Sequence, residues 1–156
     1  MADKAEVLDA CLIDGLDESY LAEVRRRVDR HEESVLSLAM VLMRSRVYAH
    51  RREAANILRR LIDFQDASFH MDALYSLALT LYYLDEFEAS RTYCAELLRQ
   101  LPDSTQGWDL HAAVNYKFNR RQHKEEMQKL GFITIGMGLA AAAGIVAIAL
   151  TGGRKR

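Results

Sequence analysis

The stretch Met71–Ser104 decides the fold, and it reads MDALYSLALTLYYLDEFEASRTYCAELLRQLPDS. Apolar side chains recur in it at spacings of three and four residues, which is typical of amphipathic helices. The spacing predicts one helix from about Phe69 to Leu84 and a second helix that begins near Phe87. Pro102 follows the second helix, because proline cannot continue a helix interior. The inner faces are predicted to hold Leu74, Leu77, Ala78 and Leu81 in the first helix and Phe87, Ser90, Tyr93, Leu97 and Leu98 in the second.

This pair of helices matches the tetratricopeptide repeat, a unit of about 34 residues. Ala78 and Ser90 are small enough to let the two helices approach closely. A weaker copy of the pattern covers residues 32–64. Two repeats are fewer than the roughly three that a repeat stack needs for stability, so the flanking helices are expected to act as caps. The sequence therefore predicts an all-α, tetratricopeptide-like helical bundle of two repeats plus capping helices.

The rest of the N-terminal region also has a helical pattern, and no stretch alternates with a period of two as a strand would. The pattern predicts a first helix that ends at Asp14-Gly15, a second that starts at Asp17, and a third over residues 33–46. A fourth carries Ala54 and Leu58, and a seventh starts near Ser104. The inner face of the seventh helix is predicted to hold Trp108, His111, Ala112, Asn115 and Phe118.

The C-terminal run from Leu130 to Gly153 contains no charged residue. A helix of about 21 residues rises about 30 Å, which matches the hydrocarbon core of a bilayer. More Lys and Arg residues flank the run on its N-terminal side than follow it, so the positive-inside rule places the N-terminal region in the cytosol. The predicted organisation is that of a tail-anchored protein. Its segments are an N-terminal arm and capping helices (1–30), the tetratricopeptide-like domain (31–122), a juxtamembrane segment (123–130), a transmembrane helix (131–151) and a short basic tail (152–156).

Two features of this tail are candidate sites. Gly136, Ala140 and Gly144 form a ridge of small residues, which could pair with another span, so self-association stays open. The tail residues Arg154, Lys155 and Arg156 are predicted to direct targeting. The pattern GMGLAA from Gly136 to Ala141 resembles a dinucleotide-binding loop, but the chain lacks the βαβ unit and the later acidic residue that such a loop needs.

Composition excludes several function classes. The 156 residues hold 21 Lys and Arg against 22 Asp and Glu, a formal net charge of −1, which gives no reason to expect a nucleic-acid partner. Two cysteines cannot form a disulfide framework, and the charged N-terminus does not have the pattern of a signal peptide. The histidines and cysteines show no metal-ligand spacing, and no catalytic motif is present. We therefore expect no metal, no cofactor and no enzymatic activity.

Three segments resemble the mitochondrial fission 1 family: AMVLMRSR (39–46), YSLAL (75–79) and FEASRTYCAELLRQLP (87–102), followed by the apolar run and the basic tail. The resemblance covers roughly residues 33–156. It implies a non-catalytic adaptor of the outer mitochondrial membrane, and often of peroxisomes. Such an adaptor recruits the dynamin-related fission GTPase, directly or through a bridging adaptor protein. The alternative is a tail-anchored tetratricopeptide receptor for precursor import, which binding of presequence peptides would select.

The first helix of each tetratricopeptide repeat lines the concave face of the pair, and this offset predicts a partner-binding groove. Its residues either bind a partner or pack against the N-terminal helices, and both interpretations hold if the first helix lies in the groove and can be displaced. A second candidate is a basic contact face for an acidic partner or anionic lipid headgroups. The predicted groove consists of Leu36, Met40, Met43, Tyr75, Leu79, Tyr82 and Tyr83, and the basic face of Arg51, Arg52, Arg59 and Arg60.

Overall fold

The structure, a computed structural model, describes the backbone of residues 2–12, 16–63 and 69–151, and the side chains of residues 4–12, 16–63 and 69–129. These ranges contain α-helices and no regular strand, which confirms the predicted all-α fold. The helices are α1 (Ala2–Ala10), α2 (Glu18–Asp29), α3 (Val35–Met43), α4 (Tyr48–Asp63), α5 (His70–Tyr83), α6 (Phe87–Gln100) and α7 (Thr105–Thr151).

Polar side chains set the boundaries of the shorter helices. The Asp17 carboxylate accepts a hydrogen bond from the Ser19 N–H at 2.9 Å and caps α2. The Ser34 hydroxyl accepts one from the Ser37 N–H at 3.1 Å and caps α3. Helix α3 is shorter than the predicted span of 33–46, because the buried Ser45 turns the chain by accepting a hydrogen bond from the Val47 N–H at 3.1 Å.

The two predicted repeats are the α3–α4 pair and the α5–α6 pair, and α4 packs against α5 to join them. The Ser90 hydroxyl donates a hydrogen bond to the Ala78 carbonyl at 2.7 Å, so the small residues do lie where the paired helices meet. One apolar cluster, here called the repeat cluster, is built from α3, α4 and α5 together with the residue that follows α5. Its buried members are Leu36, Ala39, Ala55, Leu58, Ala73, Leu77, Leu81 and Leu84.

A second apolar cluster, here called the arm cluster, draws residues from each of the described helices α1 to α7. It includes Ala5 of α1, Leu21 and Val24 of α2, and Leu110 of α7. The N-terminal helices and the first part of α7 therefore cover apolar surface that the two repeats leave open. The other buried members are Leu38, Leu42, Met43, Ala54, Ala78, Leu79, Tyr82, Tyr83, Phe87, Cys94, Ala113 and Val114.

A glycine of α7 lies close to the side chains of α6. A Cβ atom on Gly107 would lie only 3.0 Å from the Leu98 Cδ2 atom, so the two helices approach too closely there for any larger residue without a shift. In this orientation Leu110 and Val114 are buried. The predicted inner face of α7 is wrong at Trp108, whose side chain is 52% exposed and whose indole N–H donates to the Pro102 carbonyl at 2.8 Å.

Residues 1–118 form one compact unit and residues 119–156 a second. Within the second unit, Arg121 pairs with Glu125 at 3.1 Å. Among the residues whose side chains the structure describes, no helix combines the length and apolar character that crossing a membrane requires. The predicted span over 131–151, its small-residue ridge and the basic tail all lie outside the residues whose side chains are described.

Candidate functional site

The predicted groove residues divide among three environments. Met43, Leu79, Tyr82 and Tyr83 are buried in the arm cluster, and Tyr75 is half-buried against it. The structure places Leu36 elsewhere, in the repeat cluster, and leaves Met40 with 45% of its surface exposed. The structure therefore gathers five of the seven predicted residues on one side of the repeats, where α5 supplies most of them.

Helix α1, the N-terminal arm, lies over this surface. The Tyr82 hydroxyl donates a hydrogen bond to the Ala5 carbonyl at 3.3 Å, and the Tyr83 hydroxyl donates one to the Leu8 carbonyl at 2.9 Å. Leu8 belongs to the last turn of α1, and its carbonyl also accepts a hydrogen bond from the Cys11 N–H at 3.0 Å. Ala5 itself is only 2% exposed, so a small side chain at this position lets the helix lie close to α5.

Burial is the main cause that raises the pKa of Tyr82 and of Tyr83 well above 10. The electrostatic effect of Asp9 raises the pKa of Tyr82 further, and that of Cys11 raises the pKa of Tyr83 further. Desolvation disfavours the charged phenolate, so both groups stay protonated at physiological pH. Each tyrosine can therefore act as a hydrogen-bond donor toward a helix that lies in the groove.

Two ion pairs join the arm to α7. Lys4 of the arm pairs with Asp109, and Lys117 of α7 pairs with Asp9 of the arm at 2.7 Å. The Lys117 ammonium also lies 5.8 Å from the centroid of the Tyr82 ring. Because the two pairs have opposite polarity, they favour one direction and one register of the arm along α7. All four side chains are at least 30% exposed, so each pair adds little stability.

Part of the surface next to the arm is open. A cavity of about 340 Å³ is lined by Met40 of α3, by Met71, Asp72 and Tyr75 of α5, and by Leu101 after α6. Met40 also lines a smaller cavity of about 210 Å³, together with Leu16 and Tyr20. Tyr75 lines the first cavity and also packs against the arm cluster, so the covered and open parts of the surface are continuous at this residue.

The predicted basic face makes mainly internal contacts. The Arg51 guanidinium donates to the Tyr83 carbonyl at 2.5 Å, at the end of α5 where helix carbonyls are exposed. Arg52 pairs with Glu86 at 2.7 Å, and Arg59 lies 3.8 Å from the same carboxylate. These contacts hold α4 against the turn between α5 and α6. Arg60 is exposed. Most of this face is therefore engaged in holding the repeats together.

The sequence left open whether the arm lies in the groove, and it did not identify the contacts that would hold it there. Backbone carbonyls accept the tyrosine hydroxyls, and a carbonyl leaves no signature in the sequence. The ion pairs link residues more than a hundred positions apart, so no local pattern reports them. Within the residues that the structure describes, no group of three or more His, Cys, Asp or Glu side chains could hold a metal.

No family model matches the chain. Solved structures that are similar to it include two of Fis1. One is yeast Fis1 in complex with an Mdv1 fragment containing N-terminal extension and coiled coil domains, with a TM-score of 0.65 and 20% identity over 74% of this chain and 94% of that chain. The other is the fission protein Fis1 from Saccharomyces cerevisiae, with a TM-score of 0.66 and 19% identity over 76% of this chain and 95% of that chain. At these identities the similarity shows that the chain has the fold of the Fis1 structures.

Proposed function

We propose that the protein is a non-catalytic, tail-anchored adaptor that promotes organelle fission. It faces the cytosol from the outer mitochondrial membrane, and from peroxisomes, and it recruits a dynamin-related GTPase through a bridging adaptor protein. The observation that carries the proposal is the groove on α5, an apolar and aromatic surface that already holds a helix. The similarity to a Fis1 structure with a bound Mdv1 fragment supports the same role for this chain.

The chemistry of the groove suits a helical partner. Leu79 supplies apolar contact, and Tyr82 and Tyr83 supply both aromatic area and a polar donor. Aromatic residues are frequent anchors of protein interfaces, where losing one commonly costs about 2 kcal/mol or more. Recruitment by this surface would need no reacting group, which agrees with the absence of a catalytic motif in the sequence.

The proposal is tested by a groove substitution in cells that lack the endogenous protein. Leu79→Arg introduces an unpaired charge into an apolar contact, so we expect loss of recruitment of the bridging protein and elongated mitochondria. The matched control is Thr92→Arg, which adds the same charge at an exposed position of α6. Normal recruitment by a folded Leu79→Arg variant would contradict the groove as the docking site. If the groove binds presequence peptides and no fission factor, the import-receptor alternative would be supported instead.

The anchor is tested separately, because it concerns residues 131–151. A chain that ends at Leu130 loses the apolar segment that we propose as its anchor, so it should become diffuse in the cytosol. Replacement of Arg154, Lys155 and Arg156 by serine should preserve insertion and send part of the protein to the endoplasmic reticulum. Organelle binding by the truncated chain would contradict the proposed tail anchor.

A further inference from the structure

Helix α1 lies on the surface that the proposed function assigns to a partner. Its contacts therefore indicate which residue types this surface accepts in a bound helix. We infer that the external partner binds as a helix with the same pattern: a basic residue, a small residue, two unconstrained positions, a leucine and an acidic residue. In the arm these positions are Lys4, Ala5, Leu8 and Asp9. The inference rests on the proposed function and specifies the chemical class of its partner.

Each of the four specified positions of α1 makes a contact that explains its residue type. The small residue is required because Ala5 is 2% exposed while its carbonyl accepts from Tyr82. The leucine packs against the arm cluster, and its carbonyl accepts from Tyr83. The basic and acidic positions face Asp109 and Lys117. The intervening positions Glu6 and Val7 are exposed, and Val7 is 59% exposed, so the groove does not constrain them.

A separate helix must compete with an arm that is covalently attached. Attachment gives the arm an effective concentration of the order of millimolar at the groove, so a competitor with only the same contacts would lose. The arm is also a nine-residue helix, shorter than the roughly 12 residues at which an isolated helix becomes marginally stable in water. A longer partner helix can use the open cavity at Met40 and Tyr75, which supplies apolar contacts that the arm leaves unused.

The probe for the test is a peptide with the sequence of residues 2–12 and Cys11 replaced by serine. A hydrocarbon staple between positions 6 and 10, which are both exposed, holds it helical without touching the groove. The protein is the full chain in detergent micelles, carrying Ala5→Arg to dislodge its own arm. Circular dichroism establishes that the helix content is retained. Should that variant lose helix content, the double variant Lys4→Ala/Asp9→Ala removes both ion pairs of the arm, whichever charges α7 carries, without placing a charge in the arm cluster.

The decisive experiment exchanges the charges of the peptide and those of the protein. A second peptide carries Lys4→Asp and Asp9→Lys, and a second protein adds Asp109→Lys and Lys117→Asp. We expect the two matched combinations to bind about tenfold more tightly than the two mismatched ones, measured by fluorescence anisotropy at low salt. A control peptide with Ala5→Trp should not bind either protein. Equal affinity in all four combinations, or binding of the control peptide, would overturn the inference.

The outcomes separate this inference from the proposed function. If a fission adaptor binds the groove and the charge exchange has no effect, the partner pattern is wrong and the proposed function stands. If the peptides follow the expected pattern and no fission protein is recruited, the proposed function fails. Light scattering of the unmodified chain gives a third outcome, since a dimer that the peptide dissociates would show that the occupant is the arm of a second copy and would overturn the inference.

Discussion

The two faces of α5 are buried to nearly the same degree, but different elements cover them. Leu77 is fully buried in the repeat cluster, which is built from the packed helices α3, α4 and α5. Leu79 is 7% exposed in the arm cluster, where part of the apolar cover comes from the nine-residue helix α1. The buried fraction of a residue alone therefore does not show whether the residue belongs to a permanent core or to a surface whose covering helix can be displaced. The separation depends on how many elements provide the cover and how firmly each is held.

The contacts on each face of α5 indicate how strongly its covering helices are held. Removing a buried leucine to alanine in a packed core costs about 2–5 kcal/mol, a large share of the total stability of a domain. The arm is held by two hydrogen bonds from Tyr82 and Tyr83 and by two partly exposed ion pairs, together with the burial of Ala5 and the packing of the half-buried Leu8. Individual contacts of these polar kinds contribute about 1 kcal/mol or less. The arm side can therefore open while the repeats stay folded.

The largest expected effect is that of Leu77→Arg. The variant places a charge among the apolar side chains of the repeat cluster, so we expect residues 1–129 to lose cooperative folding. Urea unfolding followed by far-ultraviolet circular dichroism measures this. Leu77→Met is the matched control and should cost less than about 1.5 kcal/mol, because it preserves volume and polarity. A cooperative Leu77→Arg transition close to that of the wild type would show that this face of α5 is not a permanent core.

Leu79→Arg should have an intermediate effect. The arginine stem can lie along the apolar surface while its charged end reaches solvent, so we expect a folded domain that is less stable by about 1–3 kcal/mol. The amide protons of α1 should lose protection from hydrogen exchange, while those of α4 and α6 keep theirs. If Leu79→Arg unfolds the domain as Leu77→Arg does, the arm side belongs to the permanent core, and the two faces of α5 do not differ as proposed.

Tyr82→Phe and Tyr83→Phe should have a smaller effect that is confined to the arm. Each variant removes one hydroxyl donor and retains the aromatic ring, which should cost about 1 kcal/mol and open the arm roughly fivefold more often. Hydrogen exchange of the α1 amides measures this opening. Tyr48→Phe is the control, because its hydroxyl accepts from Arg52 on α4 and does not contact the arm. Equal exchange in all three variants would show that the hydroxyls do not hold the arm.

The smallest effect is expected from alkaline pH. The pKa of Tyr82 and of Tyr83 is raised above 10 in the folded protein, mainly by burial, so the unfolded chain loses these protons first. The free energy of unfolding should therefore fall as pH rises from about 8 to about 10.5, by a few tenths of a kcal/mol for each tyrosine at pH 10. The double variant Tyr82→Phe/Tyr83→Phe should show a shallower pH dependence. An unchanged slope would mean that neither phenol is desolvated by the arm cluster.

The two faces of α5 could be assigned from the sequence, but the rotation of α7 could not. In α5 the spacing of Leu74, Leu77 and Leu81 defines one clear stripe, and a helical period then fixes where Leu79 lies. Helix α7 carries apolar residues on two stripes, one with Trp108 and Phe118 and one with Leu110, Ala113 and Val114. Tertiary packing buries Leu110, Ala113 and Val114, and the helical period alone does not predict which of the two stripes is buried.

The candidate site was predictable to the same extent. The repeat offsets identify Leu79, Tyr82 and Tyr83, because these residues sit on a regular helix. They misplace Leu36, which the structure buries with the repeat cluster, since α3 packs along most of its length and has buried residues on several sides. The arm contacts depend on carbonyl acceptors and on distant charges, so only the three-dimensional arrangement shows them.

The two cysteines differ as sharply as the two leucines of α5. Cys94 is fully buried, and burial raises the pKa of its thiol to about 12, so almost none of it is the reactive thiolate at neutral pH. Cys11 is exposed and follows α1 directly, with its thiol 3.3 Å from the Val7 carbonyl. A maleimide dye should therefore attach to the native sequence at Cys11 alone. The chain can then report the position of its own N-terminal helix, as a fluorescence signal, without any engineered cysteine.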